Sequence, residues 1–577
     1  MIGKGIRGSL SDAWRISRPY WASDERWVAW ALLAVVVALN LGQVGLSVLF
    51  NYWRNAFYNA IQNYDEPAFF RQLAIFSGLA VLWVVAGVYQ AYLQQMLQIR
   101  WRRWLTHRYL GRWLGHRAYY KMQLTGSPTD NPDQRIAEDL NLFTNSTLNL
   151  SLNLLSSVVT LFSFIFILWS LSGPLTIPLG SGTSVTIPAF MVWLALIYAV
   201  IGTIITVKVG RPLVGLNFNQ QRLEADFRYS LVRLRENTES VAFYRGEPRE
   251  SDIFRGRFSH VFHNFWAIMK RQKLLGWFVF GYGQASVVFP YIVQAPRYFA
   301  KQIALGGLQQ TAEAFGQVQS ALSFIVSSYT DIATWQSVVQ RLASFEGPLT
   351  EIAARAEEPS DLAITHQGKG LSVDALAIDL PDGRPLVSGV AFEAQPGRGL
   401  LLVGPTGVGK STVLRAIAGI WPFCRGRVRL GTGRVFFVPQ KPYIPLGTLR
   451  QALAYPDDGA ALPREALEAV LRKVGLGALA PELDTVDQWS QRLSGGEQQR
   501  LAFARVFLAE PAVVVLDEAT SALDEAMETH LYRLLREAPW HPTIVSVGHR
   551  STLRAFHDDV LDLTASALSP AAAQAAG

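Results

Sequence analysis

The stretch Gly399–Ile420 reads GLLLVGPTGVGKSTVLRAIAGI. An apolar run, Leu400–Val403, precedes a glycine-rich loop, and helix-forming residues follow it. The order of strand, loop and helix, with the spacing GxxxxGK[ST], is typical of a phosphate-binding loop. Its glycines let backbone N–H groups approach phosphate oxygens, and the start of the helix adds a favourable dipole. The sequence therefore predicts an α/β domain that binds nucleotide phosphates.

The chemistry of this loop assigns roles to its side chains. We expect the Lys410 ammonium to contact the β- and γ-phosphates and the Ser411 hydroxyl to ligate Mg²⁺. The nucleotide-binding residues expected here are Gly404, Pro405, Thr406, Gly407, Val408, Gly409, Lys410, Ser411 and Thr412.

A second apolar run, Val513–Leu516, ends in an acidic pair. Asp517 suits the coordination shell of Mg²⁺. Glu518 is placed to orient or deprotonate the attacking water. An acidic pair after a strand is common, but its position downstream of a phosphate-binding loop favours a nucleotide hydrolase.

Further motifs make the sequence resemble the ABC-type ATPases. Residues 493–498 read LSGGEQ, the signature of that family, and lie just upstream of the acidic strand. Gln440 in FVPQKPY matches the Q-loop, Asp524 in SALD matches the D-loop, and His549 in SVGHR matches the switch histidine. With the phosphate-binding loop and the acidic strand, these motifs follow the order of the family over about 150 residues.

The resemblance implies that ATP and Mg²⁺ are the cofactors and that two such domains enclose each ATP. It implies catalytic roles for Glu518 and His549, and metal contacts from Ser411, Gln440 and Asp517. It also implies that the partner domain's signature meets the γ-phosphate. The further ATP contacts implied are Gln440, Ser494, Gly495, Gly496, Gln498 and Asp524. With one ATPase domain per chain, a homodimer with two ATP sites is expected.

The composition of the chain indicates a membrane protein. Of its 577 residues, 50% are apolar and 17% charged, whereas soluble proteins carry about 25% charge. The abundance of Trp and Phe argues against a disordered polymer, and a lone cysteine, Cys424, excludes a disulfide framework. Six stretches are long and apolar enough to span a bilayer as helices. They are residues 27–50, 70–93, 148–171, 187–207, 274–292 and 314–335.

The distribution of Lys and Arg predicts the orientation of these spans. Residues 94–146 carry eight such cations and residues 208–273 carry thirteen, whereas residues 172–186 carry none. Positively charged loops stay on the cytoplasmic side, so both termini are expected there. Attraction to anionic lipids of that leaflet accounts for the net charge of +8, and no nucleic-acid partner is expected. The first span lacks a cleavage site, so we expect no signal peptide.

Polar side chains form stripes on the first and third spans. At helical spacing each stripe occupies one face, and polar faces in a bilayer either line a wet cavity or bond to other helices. Because the stripes are long, we favour a water-filled route for a hydrophilic substrate. The first stripe is Asn40, Gln43, Ser47, Asn51, Asn55 and Asn59, and the second is Asn141, Asn145, Asn149, Asn153, Ser156, Thr160 and Ser163.

The predicted architecture is an α-helical six-span transmembrane domain of the exporter type fused to an α/β ATPase domain. We place the transmembrane domain at residues 1–345, a linker at 346–365, the ATPase domain at 366–566 and a disordered tail at 567–577. The family usually stacks an aromatic residue on adenine, and Leu380 occupies the nearest position, which leaves adenine stacking in doubt.

Two short motifs in the membrane half and one after the phosphate-binding loop resemble the SbmA/BacA-like transporters with fused ATPase domains, which are related to peroxisomal fatty-acyl transporters. These motifs are NPDQRI from Asn131, ESVAFYRGE from Glu239 and GIWP from Gly419. The resemblance implies coupling helices, which we place near residues 129–136 and 233–241. It also implies uptake of hydrophilic compounds, such as cobalamin or peptides, across a bacterial inner membrane.

Other functions remain open on the sequence. Within the family, the alternative is an exporter of lipids, fatty-acyl or amphipathic compounds. Outside it, a soluble ABC ATPase acting on ribosomes or DNA repair is disfavoured by the spans, and an ATP-gated channel would pass current that is not tied to turnover.

Overall fold

The computed structural model describes residues 6–124, 131–173, 175–178, 184–357 and 360–566. By contacts, the chain divides into two compact units. The first comprises residues 1–111 and 129–347, and the second comprises residues 112–128 and 348–577. The predicted tail 567–577 lies outside the described residues.

Helices dominate the chain up to Glu357. Their bounds are α1 (Ile6–Trp21), α2 (Arg26–Gln62), α3 (Glu66–Leu114), α4 (Ala118–Leu124), α5 (Pro132–Gln134), α6 (Leu140–Ser172), α7 (Phe190–Glu236), α8 (Thr238–Phe243), α9 (Glu247–Phe299), α10 (Leu305–Leu322) and α11 (Phe324–Glu357). A turn of π-helix, Arg135–Asp139, joins α5 to α6. Strands β1 (Leu175–Pro178) and β2 (Ser184–Ile187) form an antiparallel hairpin between α6 and α7.

The six predicted spans lie in α2, α3, α6, α7, α9 and the pair α10–α11. By length and composition, four described helical segments suffice to cross a membrane, at residues 26–62, 66–124, 132–172 and 190–236. The predicted spans in α9 and α10–α11 are not among these four segments. The sixth predicted span is also interrupted, because α10 ends before Ser323 and α11 begins after it. The Ser323 hydroxyl lies 3.2 Å from the Tyr282 hydroxyl and accepts a hydrogen bond from Gln319 at 3.0 Å.

A buried cation–carboxylate cluster holds the start of α6, α7 and α11 together in the first unit. The Asp139 carboxylate is 1% exposed and receives two hydrogen bonds from Arg341 of α11, at 2.6 and 2.9 Å. Arg135 donates to the same carboxylate at 3.0 Å. Arg341 also donates to Gln221 of α7 at 2.7 Å. Charges removed from water need such partners, so this cluster fixes the entry of α6 against α7 and α11.

The second unit contains two main sheets. Its remaining elements are β3 (Leu362–His366), β4 (Leu371–Asp379), β5 (Pro385–Ala394), β6 (Gly399–Val403), α12 (Lys410–Ile417), β7 (Cys424–Leu430), β8 (Val435–Val438), β9 (Gly447–Thr448), α13 (Leu449–Ala454), α14 (Arg464–Lys473), β10 (Val486–Asp487), α15 (Trp489–Arg492), α16 (Gly495–Ala509), β11 (Val513–Asp517), α17 (Glu525–Arg536), β12 (Thr543–Val547) and β13 (Asp559–Asp562). A parallel sheet has the order β13-β6-β12-β11-β8, and a mixed sheet has the order β3-β7-β4-β5.

The parallel sheet positions the site. Strands β6, β11 and β12 are buried on both faces, as expected for parallel strands covered by helices. Because β11 lies beside β12 and β12 lies beside β6, the loops after their carboxyl ends meet at one edge. The fold class predicted from the sequence, a helical transmembrane domain joined to a P-loop ATPase domain, is confirmed.

Helix α11 extends through Glu357 and β3 begins at Leu362, so most of the predicted linker 346–365 is regular secondary structure. Residues 131–136 and α8, near which the coupling helices are predicted, belong to the first unit, whereas α4 belongs to the second. Arg117, just before α4, donates to the carbonyls of Ala418 and Gly419 at 3.1 and 3.0 Å.

Candidate functional site

The phosphate-binding loop closes on its own lysine. The Lys410 ammonium donates to the carbonyls of Gly404 and Pro405 at 2.7 and 3.0 Å, and Lys410 is 6% exposed. Burial lowers the pKa of Lys410, and the charges of Glu518 and Asp517 oppose that shift. Gly409 has φ of 102°, and a Cβ there would lie 2.9 Å from Val387, so glycine is required.

Ser411 and Asp517 meet where β6 and β11 end. The Ser411 hydroxyl donates to the Asp517 carboxylate at 2.8 Å. Burial raises the pKa of Asp517, and the hydrogen bond from Ser411 counteracts part of that rise. A hydroxyl and a carboxylate oxygen at this separation are hard ligands of the kind that Mg²⁺ prefers, so the residues present fit the metal.

Glu518 connects two motifs that lie far apart in the sequence. Gln440 donates its side-chain amide to the Glu518 carboxylate at 2.9 Å, and His549 Nε2 lies 3.3 Å from the other carboxylate oxygen. The Glu518 side chain is 27% exposed and that of His549 is 49% exposed. Glu518 itself has φ of 48°, an uncommon backbone conformation for a residue other than glycine. The three predicted side chains therefore form one solvent-accessible cluster.

The signature residues form the start of a helix. Ser494 is the N-cap of α16, and it exchanges hydrogen bonds with Glu497 in a capping box. These bonds lower the pKa of Glu497, led by the bond from the Ser494 backbone. Gln498 donates to the carbonyls of Ser490 and Leu493, both at 2.9 Å. Because its side chain bonds to carbonyls of the preceding turn, Gln498 stabilises the backbone conformation of the signature.

The signature is next to the D-loop but apart from the phosphate-binding loop. A Cβ on Gly496 would lie 3.2 Å from the Ala522 carbonyl, so that close approach depends on glycine. Asp524 caps α17 by accepting a hydrogen bond from the Met527 N–H at 2.7 Å. Among the residues that the structure describes, no hydrogen bond or ion pair joins Ser494, Gly495 or Gly496 to the loop 404–412.

Gln499 is a site residue that the sequence analysis missed. Its side chain is 3% exposed and donates to the Gln440 carbonyl at 3.1 Å and to the Ser521 hydroxyl at 3.0 Å. It also accepts from the Ala522 N–H at 2.9 Å. Gln499 thus ties the Q-loop to the D-loop. The available signal was a second glutamine directly after the signature, about 100° around the helix from Gln498.

The position expected to hold an adenine-stacking aromatic lies in a tight turn. The Leu380 N–H donates to the Arg384 carbonyl at 2.8 Å, and its own carbonyl accepts from Gly383 at 2.9 Å. The side chain is half-buried and aliphatic. The turn therefore offers no aromatic face at this position.

Within the first unit, the polar stripe of α2 is engaged by α10. Asn51, 1% exposed, donates to the Gln310 carbonyl at 3.2 Å, and Asn55 donates to the Gln310 side chain at 2.5 Å. Asn59 accepts from the Gly306 N–H at 2.9 Å. At this end of the stripe the polar side chains therefore bond to a neighbouring helix, which is the alternative to lining a wet cavity. The expectation that Asn51 lines an open route is wrong for this arrangement of helices.

The stripe of α6 is engaged by α3 in part. Gln94 donates to Asn149 at 2.6 Å and Gln98 donates to Asn141 at 3.3 Å, whereas Asn145 and Asn153 are exposed.

A further polar face, on α10, was not found from the sequence. Gln309, Glu313 and Gln317 recur at four-residue spacing, and each is partly exposed. Gln317 donates to the Glu313 carboxylate at 2.9 Å, and Arg54 of α2 lies 3.5 Å from it. A charged pair among apolar helices is a feature of functional paths more often than of packing.

Comparisons with known proteins agree with both units. Residues 16–299 match the family described as ABC transporter transmembrane region 2, and residues 387–521 match the family described as ABC transporter. An uncharacterized ABC transporter ATP-binding protein of Haemophilus influenzae is 39% identical over 92% of this chain and 88% of its own length. The inner membrane ABC transporter ATP-binding protein YddA of Escherichia coli is 34% identical, over 95% and 96%.

More distant relatives extend the comparison. The human lysosomal cobalamin transporter ABCD4 is 27% identical over 94% of this chain and 92% of its own length. A solved bacterial Atm1-family ABC exporter with ATP bound covers 93% of this chain and 94% of its own, with a TM-score of 0.72 and 19% identity, which shows the shared fold. The chain therefore belongs to the ABC transporters: it joins a transmembrane domain to an ATPase domain and couples ATP hydrolysis to transport.

Proposed function

We propose that the protein works as a homodimer that takes up hydrophilic compounds, of cobalamin or peptide type, across a bacterial inner membrane. The observation that carries the ATPase part is the cluster of Gln440, Glu518 and His549 beside the Ser411–Asp517 pair. Half-transporters of this family dimerise, since each ATP needs two domains.

The residues of the site divide the work of hydrolysis. Lys410 exchanges its two carbonyl partners for phosphate oxygens when ATP arrives, and its charge offsets that of the γ-phosphate. Glu518 orients the attacking water and accepts its proton, and His549 holds the Glu518 carboxylate in position. Ser411, Asp517 and Gln440 would hold Mg²⁺, which neutralises the developing charge on the phosphates.

The signature completes the site from the partner. Ser494 is exposed at the start of α16, where the helix dipole and free N–H groups favour an anion. In the described residues, Ser494 makes no hydrogen bond to the phosphate-binding loop of its own chain. It therefore contacts the γ-phosphate of the ATP that the loop of the second subunit binds. Gly495 and Gly496 follow Ser494 and lie close to Ala522 of the D-loop segment that ends in Asp524.

Four observations support a hydrophilic cargo. The α10 face with Glu313 and its Arg54 partner places charge among apolar helices. Asn145 and Asn153 of α6 are exposed. The similarity to a transporter described as acting on cobalamin points the same way. So does the resemblance of the motifs at Asn131 and Glu239 to those of the SbmA/BacA-like transporters. The similarity to YddA and the cation-rich segments 94–146 and 208–273 support an inner-membrane location with both termini in the cytoplasm.

Flux measurements test the proposal. Radiolabelled cobalamin and a radiolabelled peptide are offered to right-side-out and inside-out vesicles that contain the wild type or Glu518→Gln. ATP-dependent movement toward the cytoplasmic face, lost in Glu518→Gln, is expected. Movement in the opposite direction, or transport of a fatty-acyl compound in place of both probes, would establish the exporter alternative. Current that persists without ATP turnover would indicate a channel.

A further inference from the structure

A cavity of about 490 Å³ lies between α7 and α9 in the first unit. It is lined by Pro212, Gly215, Leu216, Asn219, Ala267, Lys270 and Arg271. Two sets of contacts, called clamps here, join α7 to α9 near the cavity. On one side Asn264 of α9 donates to the Leu216 carbonyl and to the Gln220 side chain, at 3.0 and 2.8 Å.

The second clamp is aromatic. Tyr198 and Tyr282 stack with their ring centroids 4.1 Å apart, and each hydroxyl donates to the backbone carbonyl of the other residue. A Cβ on Gly202 would lie 2.6 Å from the Tyr282 ring, so the two helices are in close contact there. Between the clamps, Pro212 interrupts the hydrogen bonds of α7, and Gly215 has nothing within 4 Å of its Cβ position. The open space therefore follows from the sequence of α7 itself, which has a proline and a glycine at this point.

Positive charge surrounds this gap. Lys270 and Arg271 line it, and Lys208, Arg211 and Lys273 lie within one turn of the lining residues. All five side chains are exposed. Within the parts of the chain that the structure describes, no carboxylate forms an ion pair with any of them, and no acidic residue lines the cavity. Unpaired cations held together repel one another, so an anion bound here is favoured.

The depth of the cavity matches the headgroup layer. Lys270 and Arg271 precede the predicted span 274–292 by four and three residues, which is about 6 and 4.5 Å at 1.5 Å per residue. The headgroup layer is roughly 5–8 Å thick on each side of the hydrocarbon core. Trp266 and Trp277, 47% and 77% exposed, flank the cations on α9. Tryptophan at this depth is typical of the membrane interface.

We propose that this cavity binds the phosphodiester headgroup of an anionic phospholipid in the cytoplasmic leaflet. Lys270 and Arg271 contact the phosphate, and Asn219 offers a side-chain amide at the polar end of the headgroup. Basic pockets between membrane helices on the cytoplasmic side have this chemistry. The assignment of the site to the cytoplasmic leaflet rests on the proposed topology. The binding chemistry is independent of the proposed cargo and transport direction.

Native mass spectrometry of the purified protein tests the site. Phosphatidylglycerol, phosphatidylcholine and soluble glycerol 3-phosphate are the probes. We expect the wild type to retain phosphatidylglycerol. We expect Lys270→Ala with Arg271→Ala to weaken its binding about 25-fold, since each interfacial cation contributes roughly a 5-fold factor. The matched control, Arg249→Ala with Arg255→Ala, removes two exposed cations of the same helix outside the cavity and should bind as the wild type does.

A second variant separates loss of the site from loss of the fold. Gly215→Leu fills the open space without removing charge, and it should also release the lipid. Equal retention of phosphatidylglycerol by the wild type and both cavity variants would overturn the proposal. Displacement by glycerol 3-phosphate at the same concentration would show that the site takes a soluble phosphate and refute the lipid assignment. Equal binding of phosphatidylcholine would refute the role of charge.

Discussion

Replacing Gln499 by alanine removes the side chain that joins the Q-loop to the D-loop. Three hydrogen bonds disappear, to the Gln440 carbonyl, the Ser521 hydroxyl and the Ala522 N–H. Because Gln499 is 3% exposed, its partners do not all regain water. A net hydrogen bond contributes about 1 kcal/mol, and a buried partner left unsatisfied costs about 1–3 kcal/mol. We therefore expect the ATPase domain to lose about 2–4 kcal/mol of stability.

The same change should slow ATP hydrolysis. Gln440 contacts Glu518 directly, so a Q-loop released from Gln499 no longer holds the carboxylate in place. If about 1.4–2.7 kcal/mol of this loss appears in the transition state, kcat falls about 10- to 100-fold, at 1.36 kcal/mol per factor of ten. The ATP concentration at half-maximal rate should change little, because Lys410 and Ser411 are untouched.

Steady-state ATPase assays and thermal unfolding in detergent measure both effects. Gln491→Ala is the matched control, since this glutamine is exposed in the same region and makes no side-chain hydrogen bond in the described structure. An unchanged kcat in Gln499→Ala, together with a lowered melting temperature, would refute the link between Gln499 and catalysis. An unchanged melting temperature would refute the structural argument itself.

Three further results are expected. Asp139→Asn should lower the free energy of unfolding by about 3–5 kcal/mol in chemical denaturation, because Arg341 and Arg135 lose a buried charged partner. The control Glu138→Gln changes an exposed pair and should cost under about 1 kcal/mol. Equal losses in the two variants would contradict the role of burial. Leu380→Tyr should lower the KM for ATP up to about tenfold by stacking, and an unchanged KM would mean that this turn does not face adenine. Because burial raises the pKa of Asp517, protonation competes with Mg²⁺ at higher pH than for an ordinary aspartate, so the Mg²⁺ concentration for half-maximal ATPase rate should rise from pH 8 to pH 5.5; a constant value would refute this.

The sequence predicted those parts of the site that depend on local order. The phosphate-binding loop, with Lys410 and Ser411, follows from a strand, a glycine-rich turn and a helix that are adjacent in the chain. The acidic strand was found because an apolar run ends in two carboxylates. In each case the spacing along the chain determines the geometry, so a pattern in one dimension suffices.

Features that depend on how distant elements approach were missed. Gln499 acquires its role when α16 packs beside the Q-loop and D-loop, and nothing in its neighbours distinguishes it from Gln498. The partner of Asp139 lies 202 residues away at Arg341. The polar stripe on α2 was visible, but the choice between an open route and bonding to Gln310 depends on the position of α10. Periodicity identifies the face of a helix, whereas tertiary packing decides what covers it.

The double contact of Glu518 with Gln440 and His549 has a consequence for the idle transporter. Each carboxylate oxygen is oriented by a group from a different motif, and each keeps an acceptor site for water, because a carboxylate offers about four such sites. The general base therefore stays in position between turnovers. A shift of either the Q-loop or the segment that carries His549 would reach it directly.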